Sequence, residues 1–371
     1  MVQIKRVETA RDLREFIKLP FTLYQSDRNW VPPLISEQKK FFSNKHNPFF
    51  LHSEAQLFLA REGNATIGRI SAHTYTRHNL EYKDNIGFFG FFECADNPEA
   101  ARALFAAAEE WNRSQGKNAM RGPFNFTIND EAGLLIDGFD TPPMLMMTHA
   151  LPYYQKLYEQ NGLAKAMDLF AFYSDRADVP ERLERISDAL MKRNNLDIHP
   201  LSRGKKQQRR DLEMIHQVYN EAWQYNWGSV PFTDEEFEHL ADELVPLADP
   251  ELVLIAQNGD RPVAFSLTMP NYNEVLKVMG GRVNPWTLLK ALRAKWRITT
   301  SRVITMGVVR EYQNRGIDTI LNYLSFQAGI RKNLYHSEFS WVLESNVMMV
   351  RLAEMLGARI YKTYRIYEKP F

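Results

Sequence analysis

The sequence predicts an α/β fold of the α+β kind, present twice, each copy a mixed, mostly antiparallel sheet flanked by helices. Three observations carry this expectation. LFLAREGNATIGRIS (57–71) resembles LVLIAQNGDRPVAFS (252–266), pairing Ala60 with Ala256 and Gly63 with Gly259 at an offset of 196 residues. LYEQNGLAKAMDLFAFY (157–173) matches LAEMLGARIYKTYRIYE (352–368), pairing Leu157 with Leu352 and Gly162 with Gly357 at an offset of 195. Two similarities at nearly one offset point to a duplication, and so long a period excludes solenoids and propellers, whose repeats run about 20 to 50 residues. Third, ITMGVVREYQNRGIDTILNYL (304–324) reads as an apolar strand, a polar turn bearing Gln313 and Gly316, and a helix from Ile317.

Taken in order, the first copy opens its sheet with the 57–71 hairpin, turned at Gly63. A helix over Pro98–Gln115 carries the apolar stripe Ala100, Leu104, Ala107 and Trp111. A helix stopped by Gly162 then feeds a strand. The second copy begins with a strand at Asp197–Leu201 and helices at Asp211–Trp223 and Asp234–Leu244. Thr233 ahead of Asp234, Glu235 and Glu236 is an N-cap with an acidic first turn. The hairpin follows, then an inserted segment, strand 303–309, helix 318–331, strand 338–344, helix 346–356 and strand 359–368. The boundary falls near residue 178, giving domains 1–178 and 179–371. At 371 residues the chain exceeds the roughly 250 to 300 at which one core stops growing, which also favours two domains.

Each copy carries an insertion. In the first, residues 122–154 are too long for an ordinary connection. There Asn125, Thr127 and Asn129 alternate with Phe124, Phe126 and Ile128, predicting a half-buried strand whose polar stripe contacts substrate. The acidic residues Asp130, Glu131, Asp137 and Asp140 lack calcium-loop spacing and read as surface turns. In the second, residues 272–300, Asn284-Pro285 starts a helix with Leu288, Leu289, Leu292 and Trp296 on one face and Lys290, Arg293, Lys295 and Arg297 around the rest. That face is expected to dock on its own domain, and the run Arg203–Arg210 to be a solvated loop.

A net charge of +1 gives no global field for nucleic acid or an anionic membrane, so the expected partner is a small molecule. Cys94 is the only cysteine, the opening MVQIKRVETARDLREF has no apolar run, and no stretch reaches the length of a membrane span, which together predict a cytoplasmic protein. The nine histidines show no zinc spacing, and Walker, dinucleotide and Gly-x-Ser-x-Gly patterns are absent, so no metal is expected.

A strand ending in a Gly-bearing turn that feeds a helix aims backbone N–H groups and the positive end of the helix dipole at one point, where a phosphate can sit. With its Gln-x-x-Gly turn, Asn-headed helix and final strand, the chain resembles the GNAT superfamily of acyl-CoA-dependent N-acyltransferases. Gln313-Asn314-Arg315-Gly316-Ile317-Asp318 stands against the family's Gln/Arg-x-x-Gly-x-Gly/Ala, and Asn346, Leu352 and Gly357 match its second motif. DRNWVPPL, GFFGFFE, GPFNFTINDEAGLLIDGFD and YKTYRIYEKP look like a bacterial tandem-GNAT family, BcerS-like.

The resemblance implies acetyl-CoA or another acyl-CoA as co-substrate, held by Val308, Val309, Arg310, Gln313–Thr319 and Asn346, and a small-molecule amine as acceptor. Asp318 departs from the pattern, either repelling a phosphate or capping the helix itself. The first copy reads FFGFFECADNPEAARALF at this place and lacks the cradle, yet keeps Tyr158 where many GNAT enzymes carry the tyrosine that reprotonates the thiolate; the second copy has Ala353 there. On the strand Glu338–Glu344, alternation puts Glu338, Ser340 and Glu344 on one face and Phe339, Trp341 and Leu343 on the other. In the GNAT layout Glu344, then Glu338, is the candidate general base and Ser340 a substrate contact, with the N–H near Val309 holding the thioester carbonyl. The plainer reading pairs these glutamates with Arg359 or Lys362. Two alternatives keep the fold: a non-catalytic ligand-binding protein, or a Fem-like transferase using aminoacyl-tRNA, the only reading with a nucleic-acid partner.

Overall fold

The computed structural model describes all residues except 176, 177, 179, 180, 225 and 356. The first half of the chain runs β1 (Val2–Arg6), α1 (Ala10–Leu23), α2 (Ile35–Phe41), β2 (Ala55–Glu62), β3 (Ala65–His73), α3 (Thr76–Tyr82), β4 (Ile86–Cys94), α4 (Pro98–Ser114), β5 (Ala119–Gly122), β6 (Leu134–Asp137), α5 (Tyr154–Gln160) and β7 (Ala164–Ser174). The second runs α6 (Glu181–Asn194), β8 (Asp197–Pro200), α7 (Lys205–Trp223), α8 (Asp234–Leu244), β9 (Val253–Asn258), β10 (Arg261–Pro270), α9 (Asn273–Met279), α10 (Pro285–Lys295), β11 (Thr300–Val308), α11 (Ile317–Arg331), β12 (His336–Leu343), α12 (Val347–Met355) and β13 (Arg359–Pro370). Apart from the insertions and α6, the elements of the second half repeat those of the first in kind and order. The duplicated α/β fold is therefore borne out.

The two compact units are not consecutive halves. Unit 1 comprises residues 1–170, 273–295 and 361–371; unit 2 comprises 171–272 and 296–360. Unit 1 thus takes the α9–α10 hairpin and nearly all of β13 from the second half of the chain. Its strands run β1-β2-β3-β4-β5-β13-β7, with β6 also on β13. The β13–β5 ladder is antiparallel, from Tyr367↔Gly122 to Pro370↔Ala119. In unit 2 the order is β12-β11-β10-β9-β8.

Each unit contains one parallel pair that parts early. The β4–β5 ladder holds from Ile86↔Ala119 to Phe88↔Arg121 and stops. The β11–β12 ladder holds from Thr300↔His336 to Val303↔Phe339 and stops, while β11 stays paired to β10 as far as Val308.

Local chemistry explains the elements that position the sites. Thr233 and Glu236 close a reciprocal capping box on α8. Asn97 accepts from Ala100 N–H (3.1 Å) and Pro98 follows it, fixing the start of α4. α7 begins at Lys205, six residues ahead of its predicted start, so most of the Arg203–Arg210 run is helix and not loop; its Lys, Gln and Arg residues are good helix formers. The core of unit 2 gathers Ile215, Val218, Ile255, Ala256, Val263, Phe265 and Leu321.

Segment 124–129 is not a strand. Thr127 N–H and Oγ1 both donate to Asp130 Oδ2 (3.0 and 2.6 Å), and Asn129 N–H donates to Thr127 Oγ1 (3.2 Å). These local bonds compete with ladder formation and close a turn, with Phe126 at φ +82°.

Unit 1 is completed by β13. Tyr364, Ile366 and Tyr367 are buried in it, and Arg365 forms a two-pronged ion pair with Asp168 (2.7 and 3.0 Å). A chain ending at residue 178 lacks this strand. We expect it to show no cooperative thermal melt by circular dichroism, whereas the full chain melts cooperatively; a stably folded 1–178 fragment would contradict the shared architecture.

Candidate active site: a phosphate cradle and a buried carboxylate cavity

In unit 2, β11 leads through a single 3-10 turn (Arg310–Tyr312) to α11, whose N-cap is Gly316 at φ +76°. The first bond inside the helix is Ile320 N–H to Gly316 O (3.1 Å). Among the described residues no protein group accepts the N–H groups of Arg315 to Thr319. This is the anion-binding geometry of a helix N-terminus. The Asp318 carboxylate makes no hydrogen bond or ion pair among the described residues, and α11 has no side-chain cap. The alternative in which Asp318 caps its own helix is therefore corrected: its side chain is half-exposed and leaves the amides open.

The surrounding residues build the turn. Gln313 Nε2 donates to Val308 O (3.2 Å), the Arg315 guanidinium stacks on the Tyr312 ring (4.5 Å), and Asn314 adopts φ +60°. From α6, Asn194 Nδ2 donates to Arg315 O (3.2 Å), and Leu190 packs so closely on Gly316 that a Cβ there would lie 2.6 Å from its methyl group. Ile304, Thr305 and Met306, beyond the point where β11 leaves β12, are only half-buried although β11 is an inner strand. The strand is therefore partly open at this point. Val309 N–H is not available to a thioester carbonyl, because it donates to Val263 O (2.9 Å). Asn346 caps α12 through Met349 N–H (3.2 Å).

The carboxylates of β12 also depart from expectation. Glu338, Ser340 and Val342 form the buried face, and Phe339, Trp341 and Leu343 the half-buried one. Ser340 Oγ donates to Glu338 Oε1 and accepts from Arg302 Nε (2.9 Å), and Arg302 Nε stands 3.5 Å from Glu338. Glu338 and Ser340 are thus committed to a buried ion-pair network with Arg302. Lys362 donates to the carbonyls of Gly138 and Thr141, and Arg359 lies 3.9 Å from Asp175. Glu344, just past β12, is half-buried.

Unit 1 treats the same places differently. At α4, Asn97 and Pro98 occupy the helix start, so no comparable run of free amides exists. Its chemistry gathers in a cavity of roughly 270 Å³. Tyr24 and Tyr154 hydroxyls donate to Glu93 Oε2 (2.7 and 2.8 Å), and Arg69 stands 3.7 Å from Glu93 Oε1. Burial raises the Glu93 carboxyl above its ordinary value, opposed by Arg69 and the tyrosine hydrogen bonds. His149 bonds Asp27 (2.7 Å), yet burial lowers its imidazole below the usual range, so it is neutral at pH 7. Asn125 accepts from Phe91 N–H (2.8 Å) and donates to Glu131 (2.8 Å), while Thr127 and Asn129 are absorbed by the turn.

Tyr158 lines this cavity, packed among Phe89, Phe105 and Tyr367; its hydroxyl has no hydrogen-bond partner among the described residues, and burial holds it well above the usual phenol range. Two carboxylates, Glu93 and Glu131, face one guanidinium, Arg69, in the lining, against walls of Trp30, Leu134, Leu145, Met146 and Leu276. Such a cavity suits an apolar molecule with a cationic head. No local sequence signal points to it, since Tyr24, Arg69, Glu93 and His149 are dispersed along the chain and only the fold converges them.

The chain is 37% identical over 369 residues to Protein YghO of Escherichia coli (strain K12), covering 96% of this chain and 93% of that protein. It is 36% identical over 380 residues to Bacterial ceramide synthase of Caulobacter vibrioides, covering 98% and 96%. No protein-family profile matches it. Among solved structures it resembles a tandem GNAT protein from the clavulanic acid biosynthesis pathway (TM-score 0.56, 10% identity, 100% of this chain and 98% of that one) and a GCN5-related N-acetyltransferase from Sphaerobacter thermophilus (TM-score 0.54, 15% identity, 100% and 95%). These likenesses show the fold.

The cradle separates two neighbouring substitutions. Gly316→Ala forces a side chain into a left-handed residue packed on Leu190 and should lower unfolding free energy by about 1–3 kcal/mol. Asp318→Asn removes a carboxylate with no protein partner and should change it by less than about 1 kcal/mol. Urea denaturation of the two variants checks both.

Proposed function

The chain belongs to the family of Bacterial ceramide synthase and Protein YghO, built on the tandem GNAT fold, and on that premise we propose that it transfers an acyl group from acyl-CoA to an amine. The observation that carries this reading is the run of uncommitted N–H groups from Arg315 to Thr319 beside a parallel strand pair that parts after Val303 and Phe339. The amides and helix dipole would hold the phosphates, Gln313 orders the turn, and the half-exposed face of β11 accommodates the pantetheine arm. Ceramides are N-acylated long-chain amino alcohols, so the Caulobacter relative's name supports that acceptor class.

Acyl-CoA supplies the activated acyl carbon. The acceptor reaches the site as an ammonium and must lose a proton before its nitrogen can attack. We assign the proton removal to Glu344, half-buried just past the C-terminal end of β12, because Glu338 is held in the buried network with Arg302 and Ser340. As the C–N bond forms and the C–S bond breaks, the sulfur departs as a thiolate. With a thiol pKa near 8.5, this departure needs little help, which makes Ala353 tolerable where other GNAT enzymes have tyrosine.

A second reading places the acyl transfer itself in unit 1. It is favoured by the cavity, where Glu93 is a buried carboxylate of raised pKa and Tyr158 an unpartnered hydroxyl. Glu344→Gln and Glu93→Gln distinguish the two readings. In the first, Glu344→Gln reduces amine-dependent release of CoA thiol from a long-chain acyl-CoA by about 100-fold, in line with loss of a general base, and Glu93→Gln leaves turnover within a few-fold. The second reading reverses the outcome.

The cradle has its own test. Coenzyme A at 100 times its dissociation constant should stabilise the chain by about 2.7 kcal/mol. Asp318→Asn should tighten binding about tenfold by removing a repelling charge. Absence of any thermal shift at millimolar coenzyme A would remove the basis for the reading.

A further inference from the structure

The α9–α10 hairpin is fastened firmly to unit 1 at its root. Asn273 Nδ2 donates to Pro143 O and Met144 O (2.9 and 2.8 Å), Lys277 Nζ donates to Arg28 O (2.6 Å), and Ile35 N–H donates to Gly281 O (3.1 Å). Beyond this root, α10 is folded inside out. Its half-buried positions are Thr287, Ala291 and Ala294, the small residues, and these face inward. Its large apolar residues point to solvent: Trp286 is 77% exposed, Leu292 58%, Leu289 56% and Leu288 47%. The expectation that this face docks on its own domain is corrected, since no residue of α10 is buried.

At about 100° per residue, Leu288, Leu292 and Leu289 form one continuous arc, and Trp286 lies one position further round, past Arg293. Lys295 borders the leucine arc on one side and Arg293 on the other, with Lys290 beyond Trp286. Between Glu274 and Glu311 the sequence contains no acidic residue. Apolar side chains rimmed by cations on both borders, with a tryptophan at one edge, match the acyl boundary and anionic headgroups of a bilayer. A protein groove would have to supply acidic rims on both sides, whereas an anionic leaflet supplies them everywhere. At eleven residues α10 is too short to span, and no helix among the described residues is long and apolar enough to cross a membrane.

We propose that α10 docks the protein on the surface of anionic lipid bilayers, lying in the interface with Trp286, Leu288, Leu289 and Leu292 inserted and Lys290, Arg293 and Lys295 on the headgroups. The inference does not rest on the acyl-transfer reading. The same hairpin supplies Asn273 and Leu276 to the wall of the unit 1 cavity, so docking ties a cavity suited to an amphipathic cation to the bilayer-bound element.

The test is flotation of the full chain with extruded vesicles of phosphatidylcholine alone or with one third phosphatidylglycerol. We expect binding to the anionic vesicles that weakens in high salt, and much less to the neutral ones. Reversing the charge on the tryptophan side with Lys290→Glu and Arg293→Glu should reduce partitioning by about 30-fold or more, from roughly 1 kcal/mol per basic residue. Leu289→Glu with Leu292→Glu should abolish it. All four positions are exposed, so melting temperatures should match the parent chain and a loss of binding would not reflect unfolding. The proposal is overturned if the Leu289→Glu, Leu292→Glu variant still floats, if vesicle charge makes no difference, or if the parent chain is a dimer without lipid that this variant dissolves.

Discussion

The rest of the structure depends on how each unit deals with a parallel strand pair that cannot stay paired. Parallel strands are ordinarily covered on both faces and hydrogen-bonded along their length. Here β4 leaves β5 after Phe88, and β11 leaves β12 after Val303. The polar groups freed by parting need partners, and the two copies find them differently. In unit 1 the insertion after β5 folds back against β4: Phe124 N–H donates to Phe89 O (2.8 Å), and the Asn125 side chain takes Phe91 N–H. Unit 2 has no insertion at that place, and the middle of β11 stays partly open. One copy fills its gap with its own chain, while in the other the middle of β11 stays half-buried.

The electrostatics follow the same division. Where the gap is filled, charged groups are buried and must be paired. Glu93 is held by two tyrosines and Arg69, and His149 stays neutral beside Asp27. The start of α11 leaves its amides uncommitted among the described residues, whereas Asn97 and Pro98 close the start of α4. The buried Arg302–Glu338–Ser340 network belongs to this logic as well. It sits beside the last paired residue of β11–β12, where a charge-assisted cluster offers the backbone and neighbouring side chains fixed partners in place of a continued ladder.

What the sequence made legible was local. The Gly-bearing turn before α11, the Thr233–Glu236 capping box, the apolar stripe of α4 and the two matched hairpins each carry their signal within a few residues. Long-range arrangements were not legible. Alternation along β12 separated Glu338 and Ser340 from Phe339 and Trp341, but could not say which face is buried, because Arg302 makes the polar face the inner one. Periodicity in α10 found its apolar arc and could not tell that alanines would form the inner surface. Segment 124–129 shows the same pattern as a strand, and only the Thr127–Asp130 bonds decide for a turn. Nor does any pattern indicate that β13 joins unit 1, since antiparallel edges accept strands irrespective of chain order.

The exchange of segments constrains how such a duplicated protein can evolve. The second half contributes to unit 1 both its closing strand, with Tyr364, Ile366 and Tyr367 in the core, and the hairpin whose root lines the cavity. A duplicate that lends a core strand to its sibling cannot be lost without unfolding it, so both copies persist even as their local chemistry diverges. Within that constraint the helix start of unit 1 carries Asn97, Pro98 and Glu99, and its strand gap is closed by an insertion. Unit 2 kept the Gly316 turn, for which a left-handed residue packed against Leu190 tolerates no other side chain. The asymmetry between the copies is thus what shared folding and divided chemistry would produce.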